Sequence, residues 1–376
     1  MDTLSRHVPA VTMNKIDGSD PKRELLKTRW LSIEDCMPKQ QMTHILRPAA
    51  MELLNGGLVV FPTETVYGLG VNPFLGPSVQ NVYRAKGRPF DNPLILHISA
   101  LSYLTRLVGS VAGKWQDLAD QFWPGPMTFV FPKAPHVPNW VTGGRDTVAI
   151  RFPSHPVAQV LISECGIPLA APSANRSGTP SLTRKEHLCE MEGIADWIIE
   201  SGTLDFGLES TIISLVEDPP VLLRPGPITV EQIQTMIPDL VIGLQRIEAI
   251  APGMKYRHYA PKASLTLIEY VGGSDSDLER MAEQVLCRYH EKNRPEFRVL
   301  VLCTDETMQR YQERGIPFVS LGSRAQPYSI GKSLFHAFRR ADDEGYPMIL
   351  IEGVEEIGIG MAIMNRIRKA IDGQLG

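Results

Sequence analysis

Nowhere in the chain are two cysteines separated by just two residues, and no apolar run approaches the ~18 residues of a membrane-spanning helix. The five cysteines (Cys36, Cys165, Cys189, Cys287, Cys303) are widely spaced and odd in number. That usage argues against a disulfide scaffold or a zinc site and for reduced thiols in a cytoplasmic protein without membrane contact. The N-terminus has no apolar signal region. Residues 1–40 carry Asp2, Asp17, Asp20 and Glu24, whereas a mitochondrial presequence is poor in acids. Residues 1–42 are therefore expected to form a loose extension.

An excess of positive charge is also lacking. Lys and Arg total 38 against 42 Asp and Glu, a net charge of −4, which speaks against a coat for nucleic acid but permits a local basic cleft. Phosphate fingerprints are incomplete: Gly331-Lys332-Ser333 has Gln326 where a P-loop needs its first glycine, and Gly358-Ile359-Gly360 does not continue as x-x-Gly.

What is present is globular. Of the 376 residues, 43% are hydrophobic and 21% charged, and so long a chain is expected to divide into two domains. His44–Asn55 reads as a helix ended by Gly56-Gly57. Leu58–Phe61 is a buried strand, and a helix over Val79–Lys86 precedes a strand at Pro93–Ile98. Helices are also expected at Trp115–Phe122 and Pro156–Glu164, and strands at Met127–Phe131, Thr147–Phe152 and Leu169–Ala171. Thr183 with Glu186, and Thr229 with Gln232, are capping-box signatures. Ser210–Val216 and Val221–Arg224 read as a hairpin. Ala251–Ala263, with two prolines, a glycine and no periodicity, reads as a linker. Beyond it, strands at Leu265–Tyr270, Arg298–Cys303, Phe318–Leu321 and Met348–Glu352 alternate with helices near Asp277–Glu291, Glu306–Arg314, Ile330–Asp343 and Met361–Ile371. That alternation implies a small parallel sheet with helices on both faces.

Four polar loops follow apolar strands. Thr63-Glu64-Thr65 ends the first, at the strand edge where open α/β sheets usually hold ligands; taken alone, its hydroxyls would equally cap a helix. Lys86-Gly87-Arg88-Pro89 offers two cations one residue apart, suited to a polyanion or to a helix C-terminus. His97, between Leu96 and Ile98, suits a satisfied core position as well as a ligand contact. Ser173-Ala174-Asn175, with Ser177, Gly178 and Ser181 downstream, suits an anion nest or an ordinary turn. Glu209-Ser210-Thr211 faces Arg224-Pro225-Gly226, and Thr147 and Arg151 add a hydroxyl and a guanidinium. The set contains no nucleophile–His–acid arrangement and no metal cluster. It suits catalysis by positioning and charge neutralisation.

In order along the chain, FPTETVYGLG, KGRPFDNPLILHI, PGPMTFVF, TVAIRFP, APSANRSG, LESTIISL and LRPGPIT closely resemble the YrdC-type threonylcarbamoyl-AMP synthases. APGMKYRHYAPKA and GIGMAIMNRIRKA resemble the linker and accessory domain of their long form. The resemblance implies an α/β protein: a YrdC-like twisted open sheet over 43–247, a linker over 248–263 and a smaller Rossmann-like parallel domain over 264–376. It also implies synthesis of threonylcarbamoyl-AMP and pyrophosphate from L-threonine, bicarbonate or CO2, and ATP with Mg2+. A downstream transferase would pass the threonylcarbamoyl group to tRNA beside the anticodon, so that contact with tRNA is indirect. By similarity Thr65, His97, Arg151, Thr211 and the backbone of Ala171 would meet threonine. Arg88, Asn92, Thr147, Ser173, Ser181 and Arg224 would hold the nucleotide, with Lys86 and Asn175 around its phosphates. Tyr259 would close over it, as part of a lid that includes His258. Lys86 and Arg88 would neutralise charge in the reaction, and no general base is assigned. An RNA-binding protein of the same fold and a carbamoyl transferase of the hydrogenase-maturation type are the competing readings.

Overall fold

The computed structural model describes residues 27–34, 37–109, 115–202, 204–244 and 259–374. Most of the expected N-terminal extension and linker, residues 1–26 and 248–258, lies outside the described residues. Fifteen strands occur among those described. Eleven precede the linker: β1 (Arg29–Ile33), β2 (Val59–Phe61), β3 (Gly68–Gly70), β4 (Ile95–His97), β5 (Met127–Pro132), β6 (Thr147–Arg151), β7 (Leu169–Ala170), β8 (Trp197–Ser201), β9 (Thr211–Ser214), β10 (Val221–Arg224) and β11 (Val241–Ile242). Four follow it: β12 (Ser264–Ile268), β13 (Val299–Cys303), β14 (Phe318–Ser320) and β15 (Met348–Glu352).

The first eleven strands form a four-stranded sheet ordered β1-β8-β2-β3 and a seven-stranded mixed sheet ordered β11-β10-β9-β5-β6-β4-β7. Bridges between Gly68 and Ser173, and between Val71 and Ala170, link the facing edges of the two. The hairpin read from sequence is present as antiparallel β9–β10. Residues 29–33 depart from expectation. They add a parallel edge strand to β8, from Arg29 opposite Trp197 to Ile33 opposite Ser201, and so are not loose. The first helix, Lys39–Leu54, begins before His44 and packs Leu46, Ala49 and Leu53 against the helix Pro156–Cys165.

The capping box of Thr229 and Gln232 forms, with Thr229 N donating to Gln232 Oε1 (2.8 Å) and Gln232 N to Thr229 Oγ1 (3.3 Å). That of Thr183 and Glu186 does not. A 3-10 helix spans Lys185–Met191, and the imidazole of His187 takes the cap's place, its Nδ1 accepting from Thr183 N and Arg184 N. A ring nitrogen three or four residues on can satisfy the same orphan amides as a hydroxyl.

After the linker, β12-β15-β13-β14 form an all-parallel sheet, as strand–helix alternation implies. One face packs against the helix Asp275–Lys292 through Met281, Val285 and Leu286; the other packs against Pro327–Asp343 and Gly360–Asp372 through Leu334, Phe338 and Ile363. This second core also takes in Leu208, a residue that precedes β9 in the first half of the chain. Beside it, Gly207 has φ +68, and a Cβ there would stand 2.6 Å from the Lys332 backbone. The two halves thus meet backbone to backbone.

Candidate active site

A polar cleft opens where the ends of β2, β4 and β6 meet the loops after β7 and before β9. Its wall includes Thr63, Lys86, Arg88, His97, Arg151, Ala171, Ser173, Asn175, Glu209, Arg224 and Tyr259. Nine of the residues singled out by resemblance therefore line one cavity. Thr65, Asn92, Thr147, Ser181 and Thr211 lie outside that lining, and the structure gives most of them supporting bonds instead.

The helix Gly76–Lys86 explains the paired cations. Pro77 starts it, and Gly87 ends it in the left-handed region at φ +61, a conformation that suits glycine. Arg88 N then donates to Tyr83 O at 2.8 Å, which turns the chain back and sets Lys86 and Arg88 on the same wall. Arg88 is fixed by its own loop: Nε donates to Asn92 O (3.2 Å), and Nη2 to Asn92 Oδ1 (2.6 Å) and Pro93 O (2.9 Å). Asn92 is thus the brace of Arg88. Lys86 Nζ donates to the carbonyls of Ser173 and Asn175, tying the basic turn to the Ser-Ala-Asn loop. Burial, reinforced by neighbouring Arg88, pulls the Lys86 ammonium well below its ordinary pKa; burial likewise lowers Arg88 to about 10. Both cations lack a carboxylate salt bridge among the described residues, so a bound polyanion would gain their charge in a desolvated setting.

Asn175 holds its loop closed, its Nδ2 donating to Arg176 O and Thr179 O at 2.7 Å while its Oδ1 accepts from Ser173 Oγ at 2.5 Å. At the other end of the cleft, β6 delivers Arg151. Its Nη2 donates to Glu64 Oε1 at 2.7 Å in a fully buried ion pair, and Glu64 Oε2 accepts from Ser154 N at 3.2 Å. The Nε of Arg151 is buried with no hydrogen-bond partner among the described residues. His97, on the neighbouring strand, is neutral: burial, then the Arg151 charge, depress it to about 3. Its Nδ1 lies 3.2 Å from Ile95 O, and its ring meets Phe61 edge-on.

Thr65 is wholly buried, with its Oγ1 2.8 Å from Thr63 Oγ1; it is Thr63 that reaches the cavity. Thr211 Oγ1 both donates to Ile228 O (2.7 Å) and accepts from Ile228 N (3.1 Å). Ser181 Oγ donates to Glu209 Oε1 at 2.5 Å. Thr147, at the start of β6, pairs with Pro132. Thr63 and Glu209 were not among the sequence candidates for ligand contact, although both stood in the polar loops.

Tyr259 adds an aromatic ring to the cleft's wall. It has φ +65, stacks on Phe335 at 5.2 Å and lies under Arg366 at 5.4 Å. Ala260 N donates to Gly178 O at 2.8 Å, fastening the end of the linker to the catalytic half. His258 lies outside the described residues. Among those described, no group of three His, Cys, Asp or Glu is placed to hold a metal ion. The carboxylate in the cleft's wall, Glu209, is already engaged by Arg366, and Glu64, behind the wall, is engaged by Arg151. The cleft's donors thus suit a phosphate-rich substrate that brings its own cation and do not suit a resident metal. No described helix is long and apolar enough to cross a membrane.

A family model described as "Telomere recombination" matches residues 52–226, and one described as "Threonylcarbamoyl-AMP synthase, C-terminal domain" matches residues 228–371. The threonylcarbamoyl-AMP synthase of Pyrococcus abyssi is 43% identical over 331 residues, spanning 86% of this chain and 93% of its own. That of Bacillus subtilis is 43% identical over 333 residues, spanning 87% and 93%. The crystal structure of P. abyssi Sua5 complexed with L-threonine superposes with a TM-score of 0.81 at 40% identity, over 92% of this chain and 98% of that one. The chain therefore belongs to the two-domain threonylcarbamoyl-AMP synthase family.

Proposed function

We propose that the cleft joins L-threonine, a carboxyl group from bicarbonate or CO2, and ATP into threonylcarbamoyl-AMP, releasing pyrophosphate. The observation that carries this reading is the set of four buried cations, Lys86, Arg88, Arg151 and Arg224, on one cavity whose lining carboxylate, Glu209, is already paired. In this reading Arg151 takes the threonine carboxylate with its unpartnered Nε, a geometry that forked guanidinium donors favour. The threonine amine adds to CO2 and loses a proton to give a carbamate. A carbamate oxygen then forms a bond to the α-phosphorus, and the bond from that phosphorus to the bridging oxygen of the β-phosphate breaks.

Lys86, Arg88 and Arg224 stabilise the charge that gathers on the departing pyrophosphate, and Ser173 and Asn175 shape the loop beside it. Positioning and preorganised charge supply the acceleration. Magnesium enters as a companion of ATP, as part of the substrate. The buried thiols of Cys165 and Cys303 suit a reducing, cytoplasmic setting. The labile product is then handed to a transferase that modifies tRNA.

The decisive experiment is incubation with ATP, magnesium, bicarbonate and each amino acid in turn, followed by mass spectrometry of the adenylate. Threonylcarbamoyl-AMP from threonine alone is the expected result. An adenylate formed with serine and not with threonine would overturn the substrate assignment.

A further inference from the structure

Among the residues that reach the cleft, Glu209 is out of character. A carboxylate in a cavity built for a polyphosphate repels its ligand, and it competes for the same cations. The structure answers this from the other half of the chain. The helix Gly360–Asp372 inserts Arg366, wholly buried, behind Glu209. Arg366 Nε donates to Glu209 Oε2 at 2.9 Å and Nη2 to Glu209 O at 3.3 Å, while Nη1 reaches Pro225 O at 3.0 Å. Ser181 holds the second carboxylate oxygen. Arg224, the next cation along, is oriented by Ser210, with Nε donating to its carbonyl (2.9 Å) and Nη2 to its Oγ (3.0 Å).

We propose that Arg366 is a positioning residue of the cleft: it occupies and neutralises Glu209, so that the charges of Arg224 and Lys86 act on the phosphates of ATP. The accessory domain thereby sets the electrostatics of a cavity whose wall Arg366 does not join. Without Arg366, Glu209 turns its charge on Arg224 and Lys86, and the cleft loses affinity for polyanions while its threonine end is untouched. The inference rests on the reading of the cleft as an ATP site.

The test uses the full chain and separates binding from turnover. Equilibrium titration with MgATP is expected to give a dissociation constant at least tenfold weaker for Arg366→Met, with the KM for threonine changed less than twofold. Arg366→Lys, which keeps the charge, is expected to stay within about threefold of the parent. The second-site change Glu209→Gln in the Arg366→Met background is expected to recover most of the lost ATP affinity. A merely structural arginine would lower the melting temperature and weaken both substrates together, and that outcome overturns the proposal. So does an Arg366→Met chain that is folded and binds MgATP normally, or a double variant that regains melting temperature without ATP affinity. If Arg366→Met does not fold, the comparison of Arg366→Lys with the double variant decides by the same criteria. Failure of the parent protein to make the adenylate would instead count against the reaction assigned to the cleft, whatever the titrations show.

Discussion

Arg151 and Glu64 form a buried ion pair at 2.7 Å in which only part of the guanidinium is used, leaving Nε without a partner among the described residues. Glu64 thus aims Arg151 and does not saturate it. Replacing Arg151 by Lys keeps the charge but loses the fork, and bidentate contacts are where the two residues differ most. The expected outcome is a KM for threonine raised at least tenfold, with the KM for ATP nearly unchanged. Steady-state kinetics in each substrate checks it, and equal changes in both would refute the division of the cleft into two ends.

Removing the other partner has a different signature. Glu64→Gln leaves Arg151 buried without its counter-charge, and breaking such a pair typically costs about 3–5 kcal/mol. Chemical denaturation should register a loss of that order, accompanied by reduced turnover at saturating threonine. A variant as stable as the parent would show that Ser154 and solvent suffice to hold the loop.

His97 gives the stability a pH dependence. Burial and the Arg151 charge hold its folded pKa at about 3 against an ordinary 6.5, so the unfolded chain takes up the proton first as pH falls. The contribution is complete above about pH 6.5 and is lost progressively toward pH 3, at about 2 kcal/mol by pH 5. Denaturation at pH 7.5 and pH 5.0 measures the slope, and His97→Gln should flatten it by that amount. An unaltered slope would mean that His97 protonates as readily folded as unfolded.

Tyr259 is held between Phe335 and Arg366 at the wall of the cleft. If it shields a labile adenylate from water, Tyr259→Ala should release AMP and pyrophosphate while the yield of intact threonylcarbamoyl-AMP falls several-fold. Product yield per pyrophosphate, followed by mass spectrometry, is the relevant ratio. A ratio equal to that of the parent removes the lid.

Leu208 is part of the core of the C-terminal sheet although it belongs to the catalytic half. Leu208→Ala should cost about 2–5 kcal/mol, the usual range for emptying a packed leucine site. Scanning calorimetry would show the loss in the transition of the C-terminal half. A transition that does not move would place the contact outside the cooperative unit.

The strand ends and polar loops were legible because proline and glycine mark them, and the C-terminal parallel sheet because its apolar runs alternate with amphipathic helices. β1 was not. RWLSI is short and only partly apolar, and its partner Trp197–Ser201 lies far along the chain, so nothing local announces the pairing. Thr183 misled as a cap because His187 offers a competing acceptor that no capping pattern includes. The sequence offers the hydroxyls of Thr65 and Thr211 to a ligand, and in the structure they meet the Thr63 hydroxyl and the Ile228 backbone. Hydroxyls are versatile enough that sequence cannot say which use wins. Arg366 had no local signal either, since its partner sits 157 positions away.

At Gly207 the seam between the halves has no room for even a methyl group, and the neighbouring Leu208 and Glu209 are both gripped from across it. Three consecutive residues thus act as a weld. Traffic of substrate and product must bypass that weld, and prying the lobes apart would strand a leucine in water and a carboxylate without its counter-ion. An isolated catalytic half would accordingly be a different surface chemically, with an acidic spot exposed where the intact chain presents a neutral wall.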